Sequence, residues 1–195
     1  NPNHQRFELD ISPVDPNVVY LSVYTPGGAA TVAVNTDFYV SQDAGNSFQL
    51  LGFNGNPAAA NLITGQGWYD NIITAHPFDK NIFYAGGVVM YKVTITGSPK
   101  RGAAFTFEPI AAGYNNELND YVHVDQHSLF FQIDEAEKKF RLILGNDGGV
   151  YSTDYLSDPG TTEGDWSQAA FGLNNTQFYG ADKRNGADDY IAGAP

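Results

Sequence analysis

A ten-residue segment occurs twice in the chain. Residues 11–20 read ISPVDPNVVY and residues 75–84 read AHPFDKNIFY, so that Pro, Asp, Asn and Tyr recur in register at a distance of 64 positions. In both copies an apolar or alternating run precedes the proline, and a run rich in β-forming residues follows the asparagine. Because Pro, Asp and Asn favour turns, each copy predicts a strand, a turn and a second strand. A recurring unit of this kind predicts a repeat architecture for the chain.

Two weaker copies follow the first two. The third has a first strand at 122–131, a turn at 134–139 and a second strand at 140–144, and the fourth begins at 176. The four units start near Phe7, Trp68, His123 and Phe178, at spacings of 61, 55 and 55 residues. This spacing fits four-stranded antiparallel blades. We therefore predict an all-β chain that forms about three blades of a β-propeller and part of a fourth, with approximate units at 7–60, 68–112, 122–172 and 176–195, the last of them incomplete.

The composition agrees with short strands and tight turns. Aromatic residues make up 14% of the 195 residues, 21 residues are glycine, and only 16% are charged. Such a composition favours strands over helices. We find no segment with a clear helical period, and residues 134–139 allow at most one helical turn.

The charge and the cysteine count exclude several classes of function. The net charge is −12, with 22 acidic and 10 basic residues, and such a chain repels the phosphates of nucleic acids and anionic membrane surfaces. No stretch offers the ~20 consecutive apolar residues of a membrane-spanning helix. Cysteine is absent, so disulfides and thiolate metal sites are excluded. We expect neither nucleic acid nor a membrane as a partner.

Residues 41–48, with the sequence SQDAGNSF, match an Asp-box, Ser-x-Asp-x-Gly-x-Ser/Thr-aromatic, at every defined position. Each residue type has a physical task in such a hairpin. The carboxylate of Asp43 can accept hydrogen bonds from the turn, Gly45 can adopt a positive φ, and Phe48 can anchor the returning strand. We therefore interpret Ser41, Asp43, Gly45 and Phe48 as structural residues.

Further segments carry a resemblance to a known family. A degraded Asp-box stands at 152–154, where an insertion delays the aromatic residue to Trp166, and GNDGGVY precedes it at 145–151. Together with GWYD at 67–70, HVDQH at 123–127 and GLNNTQFY at 172–179, the chain resembles the Asp-box (BNR-like) repeat propellers of bacterial exported proteins. This family is related in fold to sialidases, xyloglucan hydrolases and sortilin-type receptors. The resemblance implies a secreted, periplasmic or cell-surface propeller, and since this fold serves enzymes and binding proteins alike, it does not choose between them.

The segment His123-Val124-Asp125-Gln126-His127 is the first candidate site. On an extended strand, His123, Asp125 and His127 would share one face. The two imidazoles would then lie ~13 Å apart at ~3.3 Å per residue, too far for one metal ion to bind all three side chains. The favoured interpretation is a polar network between blades, and the alternatives are a ligand-facing cluster, which would include Gln126, and a metal site that draws on another blade.

The segment Trp68-Tyr69-Asp70 is the second candidate. An aromatic ring beside a carboxylate suits carbohydrate, because the ring stacks on the apolar face of the sugar and the acid accepts its hydroxyl groups. The alternative, which we favour, is that both rings pack between blades. Residues 146–149 could bind calcium through oxygen ligands, with Asp147 among them, but a tight β-turn is the simpler explanation.

The acids best placed for catalysis are Asp70, Asp125 and Asp147. An inverting glycosidase holds two carboxylates about 6.5–9.5 Å apart, but none of these residues stands in a motif specific for catalysis. Sialidases, which are related in fold to the family that the chain resembles, hold their substrate with three arginines, and the arginines of this chain have no matching context: Arg6, Arg101, Arg141 and Arg184. No nucleophile elbow, phosphate loop or zinc-protease motif is present. We predict a non-catalytic module that binds glycan or protein or has a structural role; the alternative is part of a glycoside hydrolase with inverting chemistry.

The predicted blades need a further partner. Three blades in an open arc would expose two apolar faces, well beyond the few hundred Å² that soluble monomers tolerate. We therefore expect the remainder of a propeller, or another chain, to cover these faces.

Overall fold

The computed structural model describes residues 5–25, 35–52, 62–100, 103–111, 113, 121–168, 180–183 and 190–193. Three four-stranded antiparallel sheets and one two-stranded sheet make up the described chain, so the all-β prediction is confirmed. The strands of each sheet pair in chain order. The helical structure in these ranges is one 3-10 turn, Thr64–Gln66, and no described helix has the length and apolar character to cross a membrane.

The strand bounds follow the sequence units. Sheet 1 contains β1 (Arg6–Ile11), β2 (Val19–Thr25), β3 (Asn35–Ser41) and β4 (Gln49–Gly52). Sheet 2 contains β5 (Ile72–Ala75), β6 (Ile82–Gly86), β7 (Met90–Ile95) and β8 (Phe105–Ala111). Sheet 3 contains β9 (Gln126–Asp134), β10 (Lys139–Asn146), β11 (Gly149–Thr153) and β12 (Trp166–Gln168). The two-stranded sheet consists of β13 (Gly180–Lys183) and β14 (Tyr190–Gly193). The described sheets do not close into a ring. Of the predicted units, residues 26–34, 53–60, 101–102, 112, 169–172, 176–179, 184–189 and 194–195 lie outside the described residues, as does the whole segment 172–179.

The two copies of the repeat form the same turn. Asp15 Oδ1 accepts a hydrogen bond from the backbone N–H of Asn17 at 3.2 Å, and Asp79 Oδ1 accepts one from Asn81 at 2.8 Å. Both turns are closed by the same backbone hydrogen bond between residues three apart. In the first turn the N–H of Val18 donates to Asp15 O, and in the second that of Ile82 donates to Asp79 O. The recurrence of Asp and Asn therefore reflects one local structure, and the predicted strand, turn and strand are present in both copies.

The residue before the repeated proline has one task in both turns, although its type differs. Ser12 Oγ accepts the N–H groups of residues 14 and 15 at 3.3 and 3.4 Å. His76 Nδ1 accepts those of residues 78 and 79, both at 3.0 Å. Burial lowers the pKa of His76 to about 4, so the ring is neutral at physiological pH and its nitrogen is free to accept. His76 is thus a structural residue.

The Asp-box hairpin joins β3 and β4. Asp43 Oδ1 accepts the backbone N–H of Ser47 and the hydroxyl of Ser41, both at 2.8 Å, and Asp43 Oδ2 accepts the hydroxyl of Ser47 at 2.6 Å. Gly45 adopts φ +84°, as the motif requires. Phe48 lies outside the core, with 38% of its surface exposed. The carboxylate therefore organises the turn, with little help from the aromatic residue.

Replacing Asp43 with alanine should lower the melting temperature of the chain, because three hydrogen bonds of the hairpin lose their acceptor. The matched control is Asp154→Ala, since Asp154 holds the corresponding place in the degraded motif but is exposed, and the nearby turn amides of Gly160 and Thr162 donate to Asp165 instead. Thermal unfolding followed by circular dichroism measures both. Equal melting temperatures for the two variants would contradict the structural role of Asp43.

Consecutive sheets stack through neighbouring residues of β6. Phe83 and Tyr84 point to opposite faces of sheet 2, as period-2 alternation requires. Phe83 contacts Tyr20 and Phe38 of sheet 1, with ring centroids 4.7 and 5.6 Å apart. Tyr84 belongs to a second core shared with sheet 3, which contains Phe140. Sheet 2 is thus covered on both faces.

The first strands of the sheets lie side by side, because β1 contacts β5 and β5 contacts β9. Asp10 Oδ2 accepts the backbone N–H of Ala75 at 2.8 Å across the first of these seams. The loops that precede β5 and β9 therefore meet at one end of the stacked sheets. The candidate segment 68–70 lies in the first of these loops, and residues 123–125 of the other candidate lie in the second, with Gln126 and His127 at the start of β9.

Candidate functional site

The loop before β5 is held by Arg6 of the neighbouring sheet. Its guanidinium donates to the backbone carbonyls of Trp68, Tyr69 and Asn71. Within the loop, the N–H groups of Tyr69 and Asp70 donate to Gln66 O at 2.7 and 3.0 Å. These bonds fold residues 66–70 into a turn. For that reason the strand begins at Ile72 and not at Trp68, where the sequence predicted it.

The loop before β9 also differs from its prediction. The strand begins at Gln126, and Asp125 has φ +63°, so His123, Asp125 and His127 do not share the face of one strand. The cause is pairing with sheet 2, since the N–H groups of Asp125 and Gln126 donate to the carbonyls of Val88 and Gly87. The predicted His-Asp-His ladder is therefore wrong as a strand.

The side chain of Gln126 holds this loop in place through hydrogen bonds to backbone carbonyls. This side chain is fully buried and donates to His123 O at 2.8 Å and Val88 O at 3.2 Å. Asn146 Nδ2 donates to Gln126 Oε1 and to His123 O. Gln126 was a ligand-facing candidate only under the alternative interpretation of this segment; in the structure it belongs to a buried polar network between the second and third sheets, as the favoured interpretation had it.

Four of the predicted residues meet at the surface above this network. The hydroxyl of Tyr69 lies 3.0 Å from Asp147 Oδ1, and His127 Nε2 lies 2.7 Å from the same oxygen. The rings of Tyr69 and His127 meet edge to face at 4.8 Å. Trp68 packs against Tyr69 at 5.5 Å and is 62% exposed. We call Trp68, Tyr69, His127 and Asp147 the aromatic-acid surface.

His123 lies beside this surface. Its ring meets the exposed ring of Tyr121 at 6.4 Å, and Nδ1 lies 2.9 Å from the carbonyl of Val124. It packs directly on Gly148, where a Cβ would come within 2.3 Å of the histidine Cβ. Glycine at 148 is therefore required by the close approach of His123.

The turn interpretation of residues 146–149 agrees with the geometry. Asn146 Oδ1 accepts the N–H of Gly148 at 3.0 Å, and Asp147 binds Tyr69 and His127. In the part of the chain that the structure describes, no three His, Cys, Asp or Glu side chains are arranged to hold a metal ion. No candidate metal or calcium centre is defined by these residues.

Asp70 lies below the aromatic-acid surface. It is fully buried, and neither carboxyl oxygen has a hydrogen-bond partner. Burial, and then the neighbouring Asp125 carboxyl, raise the pKa of Asp70 to about 7. Gln66 Nε2 donates to Asp125 Oδ1 at 3.2 Å. Asp70 is thus out of reach of a ligand, whereas Asp125 is only half-buried.

Three residues of this region were not predicted as site residues from the sequence: Arg6, Gln66 and Tyr121. Arg6 is 62 to 65 positions away from the carbonyls that it binds, and a contact with backbone atoms leaves no pattern in the partner's side chains. Gln66 lies four residues before Asp70, and only the 3-10 turn brings it to Asp125. No family model matches the chain, and no curated protein or solved structure shows significant similarity to it.

Proposed function

We propose that this chain is a segment of an Asp-box β-propeller of an exported protein, and that its aromatic-acid surface binds a glycan. The propeller is supported by three consecutive antiparallel sheets, stacked face to face with their first strands side by side, and by the Asp-box hairpin. The export and the family are drawn from the sequence resemblance.

The exposed side of β1 supports a further blade. Arg6 and Asp10 bind backbone groups of the second sheet, while Phe7, Leu9 and Ile11 alternate with them and are each more than half exposed. Three large apolar side chains that lie exposed along one face of a strand are typical of a surface that packs on protein. A preceding blade, from the same or another chain, is the partner that continues the stacking.

The observation that carries the glycan proposal is the exposed ring of Trp68 beside carboxylate, imidazole and phenol groups. A sugar offers an apolar face for stacking and hydroxyl groups for hydrogen bonds, and the surface offers a partner for each. Tyr69 and His127 hold Asp147 in place, so the acceptor is organised before a ligand arrives.

Asp70 weighs against the alternative of a glycoside hydrolase. An inverting pair needs room for a water between its carboxyl groups, whereas the carboxyl group of Asp70 is fully buried. Of the three candidate acids, this leaves Asp125 and Asp147 for a hydrolase. A non-catalytic binding module is the better supported function.

The test is Trp68→Ala with a panel of plant and bacterial polysaccharides and their oligosaccharides, by affinity electrophoresis and then calorimetry. We expect binding to weaken at least about tenfold, equivalent to about 1.4 kcal/mol, with the melting temperature unchanged because the ring is exposed. The control is Tyr155→Ala, another exposed aromatic that lies against Arg141. Binding that is equal in both variants would contradict the proposed site, and release of reducing ends from any polysaccharide would favour the hydrolase.

A further inference from the structure

The hydrogen bonds of the aromatic-acid surface determine which of its groups can still donate to a ligand. A carboxylate carries no hydrogen, so a side chain that bonds to Asp147 must be the donor. His127 Nε2 lies 2.7 Å from Asp147 Oδ1, and the hydroxyl of Tyr69 lies 3.0 Å from the same oxygen. Nε2 of His127 therefore carries the imidazole hydrogen, and the hydroxyl hydrogen of Tyr69 is directed at the carboxylate. Both hydrogens are used within the protein.

The second nitrogen of each histidine follows from the first. In a neutral imidazole one nitrogen donates and the other accepts, so Nδ1 of His127 is an acceptor. His123 has the opposite tautomer, because its Nδ1 lies 2.9 Å from the carbonyl oxygen of Val124 and a carbonyl can only accept. Its Nε2 is then the acceptor. The donor nitrogen of each ring is thus bonded to the protein, and the acceptor nitrogen is the one that remains for a ligand.

The basic side chains of the described residues are bonded to other partners. The guanidinium of Arg6 donates to the backbone carbonyls of residues 68, 69 and 71 and to the carboxylate of Glu8, which uses four of its five N–H groups. Three lysines lie at the turns that follow β5 and β9, at the far ends of these strands, and each pairs with an acid there: Lys80, Lys138 and Lys139. Within the described residues, the aromatic-acid surface is therefore electronegative.

Trp68 adds an aromatic face and one neutral donor, its indole N–H. The face of an aromatic ring carries the negative side of its quadrupole, so it attracts C–H and cationic groups and not anions. A ligand anion at this surface would lie beside the carboxylate of Asp147, and like charges in contact are strongly disfavoured. A hydroxyl or amino group, in contrast, can donate to that carboxylate directly.

We propose that the aromatic-acid surface recognises its ligand through hydrogens that the ligand donates, and that this ligand is a glycan of neutral or amino sugars without carboxylate or sulfate groups. The inference rests on the proposed glycan-binding function and names the ligand class of that same site. The central contact is a hydroxyl or amino group that donates to Asp147, whose side chain is 29% exposed. Tyr69 and His127 hold the carboxylate in position for this contact.

The experiment is a glycan array probed at about pH 8, above the range in which histidine normally titrates. The array carries neutral, amino-bearing, uronate, sialylated and sulfated chains. It includes galacturonan beside its methyl ester, two chains that share a backbone and differ in the acid. We expect the unsubstituted chain to bind neutral or amino-bearing glycans at least about tenfold more tightly than acidic ones, because the acidic group would meet Asp147.

The variant Asp147→Asn tests the carboxylate itself. The amide has nearly the same size, carries no charge and offers two hydrogens. The preference for non-acidic over acidic chains should therefore fall from at least about tenfold to within about threefold, with binding to acidic chains gained. The matched control is Asp154→Asn, which removes the same charge at an exposed position just after β11 and should keep the full preference.

The outcomes separate this inference from the proposed function. Equal binding of acidic and non-acidic chains, or binding confined to acidic ones, would overturn the ligand class and leave the glycan site standing. A preference that is unchanged in Asp147→Asn, or that falls equally in Asp154→Asn, would overturn it as well, since the net charge of the chain would then be its source. Binding to no glycan at all would overturn both. The array with the unsubstituted chain decides the ligand class even where Asp147→Asn does not fold.

Discussion

Replacing Phe83 with alanine is expected to lower the free energy of unfolding by about 3–5 kcal/mol, the usual cost of removing a fully buried phenylalanine ring. Phe83 is completely buried, and its ring is the contact by which β6 meets Tyr20 and Phe38 of the first sheet. The variant therefore removes the centre of the core that joins two sheets. Chemical denaturation, followed by tyrosine and tryptophan fluorescence, gives the free energy.

The matched control is Phe130→Ala, since Phe130 is 65% exposed on β9. The same truncation there should cost within about 0.5 kcal/mol, as surface substitutions usually do. If the two variants were equally stable, the first two sheets would not share the core described here.

Replacing Asp70 with asparagine should stabilise the chain above neutral pH. The pKa of Asp70 is raised from 3.8 to about 7 in the folded state, so between these values the folded chain binds a proton that the unfolded chain has lost. The free energy of unfolding of the natural sequence therefore falls as the pH rises through this window. Asparagine does not titrate, so this dependence on pH is lost in the variant.

The difference in free energy of unfolding between Asp70→Asn and the natural sequence should thus grow by up to about 4 kcal/mol from about pH 4 to about pH 8, at 1.36 kcal/mol per unit of pKa. Urea denaturation at a series of pH values measures it. Asp154→Asn, which changes an exposed acid, should follow the natural sequence throughout. A constant difference across this pH range would mean that Asp70 is ionised in the folded chain.

Much of the fold could be predicted because the turns are local. The Asp and Asn of the repeated segment bind backbone atoms within two residues of themselves, and the Asp-box closes within four. Such contacts leave a fixed spacing in the sequence. The stacking of sheets was predictable only in outline, because partners such as Phe83 and Tyr20 are far apart in the chain.

In the candidate site, too, the residue types were predictable from the sequence, whereas contacts with distant parts of the chain were not. Trp68, Tyr69, His127 and Asp147 were all singled out from their residue types, and the structure brings them together. The favoured interpretation of Trp68 was wrong, however, because its ring is 62% exposed and is not packed between blades. The form of the second candidate segment was predicted wrongly, since the carbonyls of Gly87 and Val88 draw Asp125 out of the strand. A sequence pattern cannot report a backbone partner from another sheet.

The contacts of Arg6 also bear on how this surface can change. The guanidinium recognises the carbonyl groups of residues 68, 69 and 71, which every amino acid possesses. The loop can therefore keep its course while the side chain at position 68 is exchanged. Specificity for a new ligand could evolve, or be selected from a library randomised at this position, without rebuilding the seam between the sheets.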